Sequence, residues 1–207
     1  DAGRSIAYER VADWWAADLP VMRGQYNFDR IAFDYYRDQS VALEAFKSGA
    51  YTLRREWSAD TWATGYDFPE ADSGEVTLAT LPHDRPSGMN AFVFNTRRDL
   101  FADRRVREAL THAFDFEWVN RNLLYSQYQR IDSVFANSDL APVGEPQGEE
   151  LAPLAAFRDE VRPEVFGMPY EPPSTEGGSI RRNLAAARDL LAEAGWTVED
   201  GTLVKDG

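Results

Sequence analysis

The stretch MNAFVFNTRRDLFADRRVREALTHAFDFEWVNRNLLY, residues 89–125, limits this chain more than any other. Its first seven residues alternate, with Phe92 and Phe94 on one side, which predicts a strand. Asp103 then stands before RRVREALTHAF, where Val106, Ala109, Leu110 and Ala113 recur at helical spacing. Asp115 stands before FEWVNRNLLY, whose apolar side holds Trp118, Val119 and Leu123. An aspartate in front of each apolar-periodic run accepts the first free backbone N–H groups and so starts a helix. The order strand, helix, helix belongs to an α/β chain, not to an all-β one. Arg104, Arg105 and Arg107 fall mostly off the apolar stripe and read as a solvated helix face.

The flanks continue the pattern. Ile6 and Tyr8 alternate with Ser5 and Ala7; in residues 27–38, Ile31, Phe33 and Tyr35 alternate with Arg30, Ala32 and Asp34. Asp38 caps a helix that stops at Gly49, and residues 50–56 return as a strand, giving a small βαβ-like unit. Residues 57–74 read as a short helix and loop, and 75–81 as another strand. The segment 138–178 is dense in Pro, Gly and acid and reads as a long loop with one or two helical turns around 149–159. Within it EVFGMPYEPPS has the apolar content to pack as an extended arm. Residues 183–196 form a helix with Asn183 as N-cap and Gly195 as its stop. WTVEDGTLVKDG follows as a hairpin turning at Glu199–Gly201.

Charge and composition remove whole classes. Twenty-two basic against 35 acidic residues give a net charge of −13, which argues against a nucleic-acid partner and against an anionic membrane surface. With no cysteine, disulfides, thiolate chemistry and thiolate zinc sites are excluded. No apolar run reaches the roughly 20 residues of a membrane span. The chain opens on DAGRSIAYER, with a strand already under way, and closes on a turn. It is therefore expected to be an internal segment of a longer protein.

No nucleotide, hydrolase or metalloprotease motif is present. His83, Asp84 and Ser87 have the residue types of a triad but sit too close together, in PHDRPSG between Pro82 and Pro86; a local turn is the better reading. His112 reads as a structural helix residue. The expected set of catalytic residues, metal ligands and cofactors is therefore empty.

The segments RSIAYERVADWW, NFDRIAFDYYRDQSVALEAFKSGAY, MNAFVFNTRRDLFADRRVREALTHAFD and NLAAARDLLAEAGW followed by DGTLV resemble the family 5 extracellular solute-binding proteins of ABC importers, the peptide and nickel group. RGQYNFDRI, EWSADTWATGYDFP, PHDRPSGMNAFVFNTRR and DSVFANSDLAP resemble its Yej-type oligopeptide-binding branch. The resemblance implies a periplasmic binding protein-like α/β fold (type II, cluster C-like). Residues 1–55 would be part of the first lobe and 56–207 much of the second. It also implies a monomeric full-length protein in the periplasm, its signal peptide in a preceding segment. That protein would close on an oligopeptide and deliver it to an ABC permease of the inner membrane. Ligand contact is expected from hinge-side Trp57 and Trp62, from Phe94, Asn95 and Thr96 after a strand, and from Ser133 and Asn137 in DSVFANS. Two other readings stay open: a secreted acidic hydrolase with paired carboxylates of raised pKa, and a non-transport peptide receptor or chaperone of the same fold.

Overall fold

The structure is a computed structural model that describes residues 3–205. These residues fall into two compact units, divided after Leu78.

The first unit opens with strands β1 (Ser5–Glu9) and β2 (Arg30–Asp34), paired antiparallel. Register places Ile6 opposite Phe33 and Tyr8 opposite Ile31, so the expected alternation puts all four on one face. Tyr8 and Phe33 meet edge to face, 6.0 Å between ring centroids. Helix α1 (Gln39–Lys47) starts where Asp38 accepts the Ser40 and Val41 N–H groups, and these bonds lower the Asp38 pKa. It ends at Gly49, whose φ of +76° few other residues tolerate. Helices α2 (Ala59–Thr64) and α3 (Pro69–Asp72) follow. Leu43, Tyr66 and Phe68 form the buried centre, with Phe46, Trp62, Ala71 and Val76 packed around it. Residues 62–76 pack onto α1 in this way, within the compact unit that ends at Leu78.

The βαβ-like unit does not form. Of its two expected strands only β2 is observed, paired antiparallel with the preceding β1, and residues 50–56 are irregular. The backbone beyond them is held by side chains instead of a ladder: the Glu56 carboxylate accepts the Trp57 and Ser58 N–H groups. The expected strands at 75–81 and 89–95 are also absent as ladders, since no other described segment pairs with them. Phe92 and Val93 are consequently exposed.

The second unit contains α4 (Asp99–Ala102), α5 (Arg104–His112), α6 (Phe116–Leu123), α7 (Gly148–Ala155), a 3₁₀ turn at Pro163–Phe166 and α8 (Arg181–Glu193). The antiparallel pair β3 (Trp196–Glu199) and β4 (Thr202–Lys205) completes it. Asp103 and Asp115 cap α5 and α6 as expected. Helices α5 and α8 pack through small side chains: Val106 is 3% exposed, Ala109 1% and Ala187 5%. Leu110, expected on the same stripe, is 40% exposed, because it lies one residue past the narrow face that α8 covers. Helix α6 buries none of its side chains; Trp118 and Leu123 are exposed.

Asn183 is not an N-cap. Helix α8 starts two residues earlier, at Arg181, and buries Asn183, whose amide donates to the Ser174 carbonyl at 3.2 Å. Gly195, at φ +85°, does end that helix. The 138–178 segment forms α7 where one or two helical turns were expected; its later part is tied down at Pro173–Thr175, while Val165, Met168 and Tyr170 of the expected packed arm stay exposed. Arg130 donates to the Pro173 carbonyl, while Ser174 Oγ donates to Glu117 at 2.7 Å. Thr175 Oγ1 lies 2.6 Å from an Asp115 oxygen and 2.9 Å from a Glu117 oxygen, and the Thr175 N–H also donates to Glu117.

That clasp has a pH signature. Burial disfavours the charged Glu117 carboxylate, but the Ser174 and Thr175 donors outweigh it and bring the carboxyl down to about 2. The folded value lies below that of an unfolded glutamate, about 4.3. The clasp is therefore at full strength above pH about 5 and is lost as pH falls toward 2. The Glu117 carboxyl carbon should titrate by NMR near 2 in the folded protein. Serine-to-alanine replacement at 174 should move that midpoint upward.

Candidate functional site

In the first unit the site residues lie on and after the loop 51–58. Arg54 is buried at 8% side-chain exposure and pairs with Glu56, at 7%, across 3.0 Å. Its Nε reaches the Tyr66 hydroxyl at 3.2 Å and its Nη1 the Tyr51 hydroxyl at 3.0 Å; Tyr51 itself donates to the Ala42 carbonyl on α1. Burial opposes the charge on both partners. The hydroxyls and Glu56 still raise the Arg54 pKa, and the Ser58 and Trp57 N–H groups with Arg54 lower that of Glu56. Burial also raises the Tyr66 pKa. The loop is thus locked to the helical core by a fully engaged ion pair.

Trp57 emerges from this lock 71% exposed, with the Arg55 guanidinium stacked 3.9 Å from its ring centroid. Trp62 has a different position. It lies on α2, half buried against the core, 5.7 Å from the Tyr66 ring.

The other five candidates belong to the second unit. Phe94, Asn95 and Thr96 line an open depression of about 560 Å³ together with Val93 and Arg97. Phe94 leans on Phe101, 5.2 Å between ring centroids. The Asn95 side-chain oxygen accepts the Arg97 N–H, and its carbonyl accepts the Arg98 N–H, shaping the turn into α4. Ser133 Oγ accepts the Phe135 N–H. Asn137, at φ +58°, donates to the His83 and Arg85 carbonyls at 2.8 and 2.6 Å, and the Ser87 N–H returns to the Ala136 carbonyl. The 133–138 loop and the 83–87 turn are therefore stapled together. His83 Nδ1 accepts the Arg85 N–H inside that turn, so the turn reading of PHDRPSG holds.

Two features escaped the sequence reading. One is the Arg54–Glu56 lock; its signal was a pair of opposite charges, two residues apart, where a half-buried strand was expected. The other is a cavity of about 430 Å³ bordered by Glu108, His112, Tyr170, Glu171 and Arg182, where the buried His112 Nδ1 has no hydrogen-bond partner. Among the described residues no three His, Asp or Glu side chains gather in a metal-binding arrangement, and no helix is long and apolar enough to cross a membrane.

Comparison with known proteins sets these local features in a lineage. The chain is 44% identical over 198 residues to the uncharacterized protein YejA of Escherichia coli K12, covering 95% of the chain and 33% of that protein. It is 44% identical over 205 residues to the probable peptide-binding protein YejA of Agrobacterium fabrum, covering 98% of the chain and 33% of the relative. The peptidoglycan-binding protein YepA of the same organism is 37% identical over 210 residues, covering 97% of the chain and 34% of YepA. The chain thus spans about a third of the length of the curated relatives it matches. Residues 1–205 match the model of the bacterial extracellular solute-binding proteins, family 5 middle region, and the chain belongs to that family.

Proposed function

We propose that the protein is the substrate-binding component of an ABC importer, taking up oligopeptides in the periplasm for delivery to an inner-membrane permease. The observation that carries this is the family match over residues 1–205, together with 44% identity to a relative named as a probable peptide-binding protein. The locked loop beneath Trp57 suits the role, since a rigid wall loses little entropy when a ligand docks. The 94–96 depression, with its backbone polar groups, suits an extended peptide. Function then consists of binding without bond chemistry: contacts made only in the closed form stabilise that form and present it to the permease.

A paired-carboxylate hydrolase needs one carboxyl of raised pKa to act as an acid. Among the described residues every carboxyl with a resolved shift moves down: Asp38, Glu56, Asp103, Glu117 and Glu164. Asp115 and Glu117, the carboxylates that share the Thr175 hydroxyl, are occupied in fastening the arm.

The test is thermal unfolding of the full-length protein with a mixed peptide digest and, separately, with a sugar mixture. The peptide pool should raise the midpoint, and the sugars should leave it unchanged.

A further inference from the structure

We propose that Arg55, held on the face of Trp57, receives a carboxylate of the bound ligand and so sets a preference for peptides that carry one. The inference rests on the peptide-binding reading. Three observations carry it. First, the Arg55 guanidinium stacks at 3.9 Å on an indole that is itself exposed. Stacking occupies a face of the guanidinium plane and leaves its edge, with the N–H fork that fits a carboxylate bidentately, open to a ligand. Second, no acidic partner engages Arg55 among the described residues, although acids outnumber bases 35 to 22 along the chain. Its neighbour Arg54 is the one neutralised by Glu56. Third, the backbone on both sides of Arg55 is fixed: Arg54 is buried in its ion pair, and Glu56 holds the Trp57 and Ser58 N–H groups at 2.8 and 2.9 Å. Because this loop is already ordered, a stacked arginine on it meets a carboxylate at reduced entropic cost.

A ligand carboxylate can come from the peptide's terminus or from an acidic side chain. Three pentapeptide pools separate these sources: free-acid peptides without Asp or Glu, the same peptides amidated, and amidated peptides with one Glu. Affinity is measured by titration calorimetry on the full-length protein, on its Arg55→Gln variant, and on an Arg37→Gln variant that removes one exposed charge elsewhere. The native protein and Arg37→Gln should bind at least one carboxylate-bearing pool about tenfold more tightly than the amidated acid-free pool. In Arg55→Gln that ratio should fall below about twofold, while the acid-free amides bind as before. The pool that is favoured identifies the carboxylate. If the ratio survives Arg55→Gln, or the native protein binds all three pools alike, the carboxylate inference is overturned and peptide binding stands. If no pool binds to any of the three proteins, the peptide reading fails and takes this inference with it.

Discussion

Replacement of Arg54 by methionine should destabilise the protein by about 3–4 kcal/mol in urea unfolding. Glu56 is 7% exposed, and without Arg54 its charge remains inside with only the Trp57 and Ser58 N–H groups and the Tyr66 hydroxyl beside it. Removing one partner of a buried pair costs about 3–5 kcal/mol, more than the pair itself contributes, because the survivor is left uncompensated. The double variant Arg54→Met with Glu56→Leu should therefore recover a large part of the loss. Recovery would separate desolvated charge from lost packing: a double variant as unstable as the single one would show that Arg54 acts through the Tyr51 and Tyr66 hydroxyls instead. Trp57 fluorescence follows the same logic. Once the lock is gone the loop is free, and the indole should lose its fixed stacking on Arg55.

Leucine at position 109 should cost about 3 kcal/mol. Ala109 is 1% exposed where α5 meets α8, and Ala187 is buried on the facing helix, so three extra carbons have no space unless the helices separate. One residue along, Leu110→Ala should cost less than about 1 kcal/mol, since Leu110 is already 40% exposed. The contrast, read from chemical denaturation of the two variants, measures how narrow the buried stripe of α5 is. Equal losses at 109 and 110 would place α8 over both.

The pattern of what could be read in advance follows the range of the interactions. Asp38, Asp103 and Asp115 announced their helices because a cap bonds to N–H groups two or three residues away. Gly49 and Gly195 announced the stops because positive φ is a property of the residue itself. The alternation in β1 and β2 was legible, and the observed register places Ile6, Tyr8, Ile31 and Phe33 together as it required. Alternation at 75–81 and 89–95 was equally visible yet yields no ladder, since a strand needs a second segment to bond with and the pattern does not name one. Asn183 shows the converse. Its residue type fits a cap, but a carbonyl nine residues upstream, at Ser174, claims its amide inside the helix.

The site divides along the same line. An exposed aromatic such as Trp57 could be nominated from its place in a loop-rich stretch. The lock beneath it depends on Tyr51 and Tyr66 arriving from either side of Arg54, and only the fold shows that. Trp62, five residues on and of the same type, lies against the core because α2 turns it toward Tyr66. Asn137 was nominated for small polar groups facing a ligand; both hydrogens of its amide are directed at the 83–85 backbone. A ligand reaching that loop would meet the shape that this staple holds.

If the protein binds peptides as proposed, the unfolding midpoint of the full-length protein rises across a peptide titration. Saturation at about a hundred times the dissociation constant should add about 2.7 kcal/mol, a rise of about two degrees for a protein as long as its relatives, with mass spectrometry of the retained fraction showing peptides. An unmoved midpoint across the titration, or a rise produced by sugars and not by peptides, would contradict the peptide assignment while leaving the family membership in place.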